Sequence, residues 1–218
     1  MAATYEEQMS EEADEKRKLL LSLGIDFSRF GDEELVNWCR RFTTRPEGTR
    51  SDGSTIRCYH PAGTESECMI YLAYVLRTNH KIIKLDIVNI GQSHTNVITA
   101  EIIRPLIDAI DEVQLTHFWF TQATFDDDAL MLIGNTIRKS TSLHLVCVGS
   151  VDTSLDTMEY LFDSLLINNS IQCCVLFDAD KQKLEQQRIK DTLDDMKARK
   201  YARAAYLSSQ KIKSASKR

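Results

Sequence analysis

Three stretches of this chain, LTHFWF (residues 115–120), LHLVCV (143–148) and IQCCVL (171–176), share one pattern and begin 28 residues apart. In each, apolar residues occupy the first, fourth and sixth positions, and IIKLDI (82–87) shows the same pattern 33 residues before the first of them. Such a pattern indicates a strand with a buried face. A repeat length in this range is typical of a solenoid, in which strand-plus-helix units stack side by side.

The sequence upstream of each strand repeats as well. Thirteen residues before each strand stands an apolar residue: Met69, Ile102, Leu130 and Met158. Six residues before it stands another: Leu76, Ala109, Ile137 and Leu165. Three residues before it, where a helix would end, stands a polar residue: Asn79, Glu112, Ser140 and Asn168. We therefore predict helices over 66–79, 96–110, 126–139 and 156–167, and strands over 82–87, 115–120, 143–148 and 171–177. The fold class is then α/β, a short solenoid with parallel strands on one side and helices on the other. The longer first spacing places the extra residues in the loop Gly91–Thr95, which we expect to carry contacts.

Different segments flank the repeats, and they divide the chain into 1–62, 63–180 and 181–218. The first is an acidic extension with helices over 4–23 and Asp32–Phe42, followed by a polar loop over Thr43–Gly63. The last is a long charged helix over 181–206 that covers the final strand, and a basic tail. Its predicted inner face consists of Leu184, Ile189, Leu193 and Met196. Solenoids need such caps because their end units otherwise expose apolar surface.

Two junctions carry a family resemblance. LAYVLRTNHKIIKLDI (72–87) and LFDSLLINNSI (161–171) resemble leucine-rich repeats of the ribonuclease-inhibitor type, which read loosely as ALxxNxxLxxLxL. The organisation is similar to the carboxy-terminal repeat domain of tropomodulins and leiomodins, and this resemblance implies actin contact through the concave strands and the terminal helix. The chain departs from the family where a turn asparagine or cysteine is usual, with Ile90, Ala123, Val151 and Ala179 in those places.

Composition narrows the class of protein. Hydrophobic residues make up 43% and charged residues 27% of the chain, as in a globular protein, and the net charge of −5 disfavours bulk attraction to nucleic acid. No apolar run approaches the roughly 20 residues of a membrane span, and the acidic start fits neither a secretory signal nor a mitochondrial presequence. We expect a cytoplasmic protein whose six cysteines are reduced.

No pattern of catalytic or metal-binding residues emerges. His144 and Cys147 lack four convergent ligands, and a buried structural thiol explains Cys147 better. Cys58 with His60 has no partner spacing for a metal or nucleophile. Asp126–Asp128 stands where a repeat helix begins, so helix capping explains it. We predict a non-enzymatic protein without catalytic residues, metal or cofactor.

The predicted function is protein binding, as an adaptor, an assembly subunit or a tropomodulin-like actin regulator. Trp119 should face solvent on the strand side, because Phe118 and Phe120 point inward. The stripe Leu35–Phe42 favours packing onto the first repeat, with docking of a partner helix as the alternative. The predicted partner-binding residues are Trp119, Trp38, Lys197, Arg199, Lys200 and Arg203. The alternative function is that of an RNA-binding accessory subunit that uses the basic tail.

Overall fold

A computed structural model describes residues 4–42, 54–60, 63–89, 97–121, 123–151, 153–178 and Ala198. The helices are α1 (Tyr5–Ser22), α2 (Asp32–Arg40), α3 (Glu65–Thr78), α4 (Ala100–Glu112), α5 (Asp127–Lys139) and α6 (Leu155–Ile167). The strands are β1 (Thr55–His60), β2 (Lys84–Asn89), β3 (Val97–Ile98), β4 (His117–Thr121), β5 (Thr124–Phe125), β6 (Leu145–Val151) and β7 (Cys173–Asp178). None of the described helices is long and apolar enough to cross a membrane.

The main sheet is parallel throughout and has the order β1-β2-β4-β6-β7, so neighbouring strands follow one another along the chain. A helix connects each strand to the next, and α3, α4, α5 and α6 pack in sequence along one side of the sheet. This arrangement confirms the predicted α/β solenoid of parallel strands and stacked helices. The charged helix predicted over 181–206 and the loop Gly91–Thr95 lie outside the described residues.

Strand β1 corrects one prediction. The polar stretch Thr43–Gly63 was expected to be a loop, but Thr55–His60 pairs with β2 in continuous register, from Thr55 opposite Lys84 to His60 opposite Asn89. Ile56 and Cys58 are fully buried and lie two residues apart, so they show the alternation of a strand with one buried face, over only three residues. Strand β1 adds a first strand to the four predicted from the repeat.

Short strands explain why α4 begins later than predicted. Strands β3 and β5 pair in parallel just before α4 and α5, so α4 begins at Ala100 rather than at residue 96. Each of three successive helices is then capped by a side chain that accepts a hydrogen bond from the backbone N–H three residues later. These caps are Thr99, Asp126 and Ser154. Each cap satisfies a donor that has no partner within the helix.

The amino-terminal helices cap the solenoid. Trp38 on α2 is only 3% exposed, and its ring lies 4.6 Å from the rings of Phe27 and Phe42 and 5.4 Å from that of Tyr71 on α3. This packing confirms that the stripe on α2 covers the first repeat. It also corrects the assignment of Trp38 as a partner-binding residue, since its ring is a core component.

Hydroxyl side chains join successive repeats where the strands begin. Thr116 Oγ1 donates to the Ile83 carbonyl at 2.9 Å, Ser142 Oγ to Leu115 at 2.9 Å and Ser170 Oγ to Leu143 at 2.8 Å. Each bond joins one repeat to the repeat before it. These bonds contribute to repeat alignment in a chain whose usual asparagine positions hold apolar residues.

The polar residue Asn168 ends α6 and is buried at the junction with β7. Its amide nitrogen donates to the carbonyls of Ile137 at 2.5 Å and Ser140 at 2.6 Å in the preceding repeat. Its oxygen accepts from the backbone N–H groups of Ser170 and Ile171 at 2.7 and 2.8 Å. One side chain therefore fixes both its own turn and the spacing to the previous unit.

We predict that Asn168→Ala lowers the free energy of unfolding by about 2–4 kcal/mol, since several buried polar groups lose a partner at once. Asn79 is the matched control, because it occupies the same place in an earlier repeat but accepts one bond, from the Lys81 N–H at 3.2 Å. Asn79→Ala should cost about 1 kcal/mol or less. Urea unfolding followed by circular dichroism measures both, and equal losses would contradict the anchoring role of Asn168.

We also predict that Trp38→Ala lowers the free energy of unfolding by about 3–5 kcal/mol through a cavity in the cap. The same change at Trp119, which is 41% exposed, should cost about 1 kcal/mol or less. The comparison uses the same urea unfolding measurement. A larger loss at Trp119 than at Trp38 would reverse the assignment of core and surface.

Candidate protein-binding face of the sheet

The side of the sheet that faces away from the helices is the candidate site, and we call it the open face. Leu85, Ile87, Phe118, Phe120, Val146 and Val148 are buried and point toward the helices. Side chains alternate along a strand, so the residues between them belong to the open face. Its members are Arg57 on β1; Lys84, Asp86 and Val88 on β2; His117, Trp119 and Thr121 on β4; and Leu145 on β6, with Cys147 at the next position of β6 on this side fully buried.

Strand register arranges these side chains in rows. Arg57, Asp86, Trp119 and Cys147 stand opposite one another on successive strands and form the central row. Lys84, His117 and Leu145 form the row nearer the amino ends of the strands. Neighbours within a row are about 4.8 Å apart, and the two rows are about 6.6 Å apart along each strand.

Trp119 is the large aromatic side chain of the central row. It is 41% exposed, as the alternation of β4 predicts, whereas Phe118 and Phe120 on either side of it are buried. A half-exposed indole on a rigid strand offers a large apolar surface at little conformational cost, and tryptophan is enriched among residues that dominate interface energies.

An ion pair lies beside this ring. Arg57 Nε is 2.6 Å from Asp86 Oδ2, across the pairing of β1 with β2. Asp86 in turn stands opposite Trp119. The pair joins β1 to β2 across the open face. Because Arg57 is largely exposed, the pair contributes more to the shape and charge of the face than to stability.

His117 has a defined hydrogen-bonding arrangement. Thr116 Oγ1 donates to the Ile83 carbonyl and lies 2.8 Å from His117 Nδ1. Because the single hydroxyl hydrogen is already used, we assign the proton to Nδ1 of His117, which donates to Thr116. The other ring nitrogen, Nε2, is then an acceptor. Partial burial, Lys84 and His144 lower the pKa of His117, so the ring is neutral near pH 7.

The predicted partner-binding residues lie in different parts of the molecule. Trp119 lies exposed on the open face, Trp38 lies in the core, and Lys197, Arg199, Lys200 and Arg203 lie outside the described residues. Sequence reasoning missed Arg57, Lys84, Asp86 and His117. In the strand pattern these residues occupy the polar positions between the apolar ones. That pattern could have predicted that they share the face away from the helices, but not which of the side chains lie next to one another.

The described thiols are poor nucleophiles. Burial raises the pKa of Cys39 to about 11 and that of Cys68 to about 12, and it also raises the pKa of Cys58. Cys147 is fully buried, as a structural thiol should be. Among the described residues no three His, Cys, Asp or Glu side chains are grouped to hold a metal ion.

The acidic run at the start of α5 has structural roles. Asp126 Oδ1 accepts from the Ala129 N–H at 2.7 Å, which is the predicted helix cap. Asp127 accepts from the Thr153 hydroxyl and from the Ser154 N–H at 3.2 Å, so it joins α5 to the next repeat. The capping explanation of this run is confirmed for Asp126.

A groove of about 750 Å³ opens on the helical side, between α3, α4 and the start of α5. Its walls mix both charges, with Arg77 and Arg104 beside Asp108 and Asp128. Arg77 is already engaged, with two bonds to Glu112 at 2.6 and 2.8 Å. The groove therefore lacks the concentrated charge and exposed aromatic ring that distinguish the open face.

Comparison with known proteins shows similarity at the level of the fold. No family model matches the chain, and no curated protein sequence matches it. A solved structure described as leiomodin-1 actin-binding site 2 superposes with a TM-score of 0.53 at 9% identity, covering 83% of this chain and 96% of that one. The two share a fold. At this identity the similarity establishes the α/β repeat architecture, in agreement with the resemblance drawn from the sequence.

The accessibility of the open face can be tested with the two tryptophans of the chain. We predict that acrylamide quenches the emission of Trp119 and spares that of buried Trp38, so that Trp119→Phe removes the quenchable fraction. Anionic iodide should quench better than caesium, because Lys84 lies on the same face. Lys84→Ala should weaken iodide quenching without affecting acrylamide. Stronger quenching by caesium than by iodide would contradict the charge assigned to this face.

Proposed function

We propose that this chain is a non-enzymatic protein-binding module, acting as an adaptor or assembly subunit, and that its open face holds the partner. The observation that carries the proposal is the half-exposed Trp119 at the centre of a five-stranded sheet. Residues that dominate interfaces are commonly aromatic and central to the buried patch.

The backbone beneath the site supports a binding role. Strand β4 is paired on both sides, with β2 and β6, so the base of the Trp119 side chain is fixed before any partner arrives. A fixed anchor loses little conformational entropy on binding. The Arg57–Asp86 pair supplies polar groups beside the apolar ring, and a polar rim around an apolar centre is the usual composition of an interface.

The chemistry of the described residues also favours binding over catalysis. The thiols of Cys39, Cys58 and Cys68 are buried with raised pKa values, so they are protonated near neutral pH. His117 already uses Nδ1 to hold its ring against Thr116. General-base catalysis needs a base within reach of a positioned substrate proton, and the open face is a broad surface rather than an enclosed pocket.

Actin is the partner that we propose to test first. The support is the shared fold with the leiomodin-1 domain, whose description names actin binding, together with the same organisation read from the sequence. A fold supports many functions, so the residues of this chain must decide the matter. RNA binding by the basic tail is the second candidate function, and the sequence of residues 197–218 is its only support.

The decisive experiment combines identification with a point variant. Proteins captured by the full chain are identified by mass spectrometry, and filamentous actin is tested directly by co-sedimentation. We predict that Trp119→Ala weakens binding of the captured partner at least about 30-fold, which corresponds to about 2 kcal/mol at an interface centre.

Tyr5→Ala is the matched control, because Tyr5 is an exposed aromatic residue on α1, far along the chain from the open face. It should leave binding unchanged. Equal binding by the wild type and Trp119→Ala would overturn the proposal. Retained RNA with a steep salt dependence, lost on deletion of residues 197–218, would favour the second candidate.

A further inference from the structure

Three basic side chains converge at the amino-end edge of the open face, and we call them the cationic cluster. Lys84 on β2 stands opposite His117 on β4, and His144 precedes Leu145, the residue opposite His117 on β6. Burial, Lys84 and His144 all lower the pKa of His117, in keeping with their position at one edge of the face. Strands β2 and β4 and the residue that precedes β6 therefore contribute one basic side chain each.

This cluster has no anionic partner in the described part of the molecule. None of the ion pairs there includes Lys84, His117 or His144. The acidic side chain nearest along β2 on the same face is Asp86, and it is held by Arg57 at 2.6 Å. The uncompensated charge of Lys84 disfavours protonation of the neighbouring His117 ring. An anion bound there would compensate this charge.

The surroundings of His117 allow its imidazole ring to gain a proton when an anion binds. Its Nδ1 donates to Thr116 Oγ1, so Nε2 is the nitrogen that gains a proton. Burial, Lys84 and His144 disfavour the protonated ring in the free protein. An anion near Nε2 would favour it, because an opposite charge within about 4–6 Å stabilises the charged form.

We propose that the cationic cluster binds the carboxylate side chains of an acidic segment of a partner protein, and that His117 takes up a proton on binding. This inference rests on the proposed function and names the class of segment that the open face recognises. Affinity then rises as the pH falls, because the bound state holds one more proton than the free state.

The surroundings favour carboxylates over the backbone of a nucleic acid. Trp119 lies in the next row, about 6.6 Å along β4, so a segment with an acidic residue followed by an apolar one matches both rows. Asp86 stands opposite Trp119 and would repel a continuous line of phosphates. The net charge of −5 disfavours binding of a long polyanion more than that of a short acidic segment.

The pH window follows from the groups involved. In the free protein the pKa of His117 lies below its usual value, and in the complex it is raised, so proton uptake occurs between the two. Partner carboxylates titrate near pH 4 and stay ionised above it. Since one proton changes an equilibrium constant at most tenfold per pH unit, we expect the dissociation constant to fall about five- to tenfold between about pH 7.5 and 5.5.

The test uses the full chain and a fluorescent octaglutamate peptide, with an octaglutamine peptide as the uncharged control. Anisotropy gives the dissociation constant across that pH range, and proton NMR of the imidazole gives the pKa of His117 with and without peptide. Lys84→Ala should weaken binding, and His117→Gln should remove the pH dependence. Lys139→Ala and His80→Gln change exposed basic residues outside the open face and should alter neither.

The NMR measurement on the wild type keeps the test decisive if a variant fails to fold. An unchanged His117 pKa in the presence of bound peptide, or a dissociation constant independent of pH, would overturn the inference. A single-stranded RNA oligonucleotide that displaces octaglutamate and binds more tightly would overturn the assignment to carboxylates.

Failure of this inference can be distinguished from failure of the proposed function. Partner binding that is lost in Trp119→Ala but pH-independent and unaffected by Lys84→Ala would overturn the cationic cluster and support the open face. Binding of octaglutamate that follows the predicted pH dependence, with partner capture unaffected by Trp119→Ala, would support the cluster and overturn the proposed function.

Discussion

The in-register pairing of parallel strands is the constraint on which the rest of this molecule depends. Ile56, Leu85, Phe118 and Val146 stand opposite one another and form a continuous buried row beneath the helices. The row displaced by one residue is the central row of the open face. A slip of one residue would place Trp119 among the helices and Phe118 in solvent, so the packing of the core also determines the composition of the face.

The helices on the other side follow one another in the same order as the strands. Their starts are fixed by the side-chain caps Thr99, Asp126 and Ser154, and the end of α6 is fixed by Asn168. Strands in the sheet are about 4.8 Å apart, whereas packed helices need about 8–10 Å. The stack therefore has to curve away from its helical side, which leaves the strand side concave and able to surround a ligand surface.

The sequence predicted the repeating part of the fold well, because four units with one pattern, the last three of them 28 residues apart, reinforce one another. Strand β1 was missed since Thr55–His60 is a single short segment with Arg57 in its middle, and it follows a stretch rich in turn residues. Trp38 was ambiguous for a different reason. Its helical stripe shows that one face is apolar, but periodicity cannot tell whether that face covers the protein's own first repeat or another molecule.

The cationic cluster was beyond sequence reasoning. Lys84 and His117 share the third position of their strand patterns, but His144 occupies the second position of its own and is therefore out of step with them. Only the observed pairing shows that they meet. Trp119 could be predicted because alternation within its own strand is enough to expose it, whereas a group assembled from three strands needs the register between them.

The hydroxyl bonds between repeats give the solenoid a direction. Thr116, Ser142 and Ser170 each donate to a carbonyl of the preceding unit, so every joint has its donor on the later repeat and its acceptor on the earlier one. A unit placed after the last described repeat would need to bring only one hydroxyl of its own. The joint between β1 and β2 has no such bond from the position equivalent to Thr116, because Ile83 there has an apolar side chain and only its backbone N–H donates, to the Ser54 carbonyl at 2.9 Å. Lengthening such a stack by design therefore requires a hydroxyl residue in each added repeat, whereas the repeat before it has to supply only a backbone carbonyl.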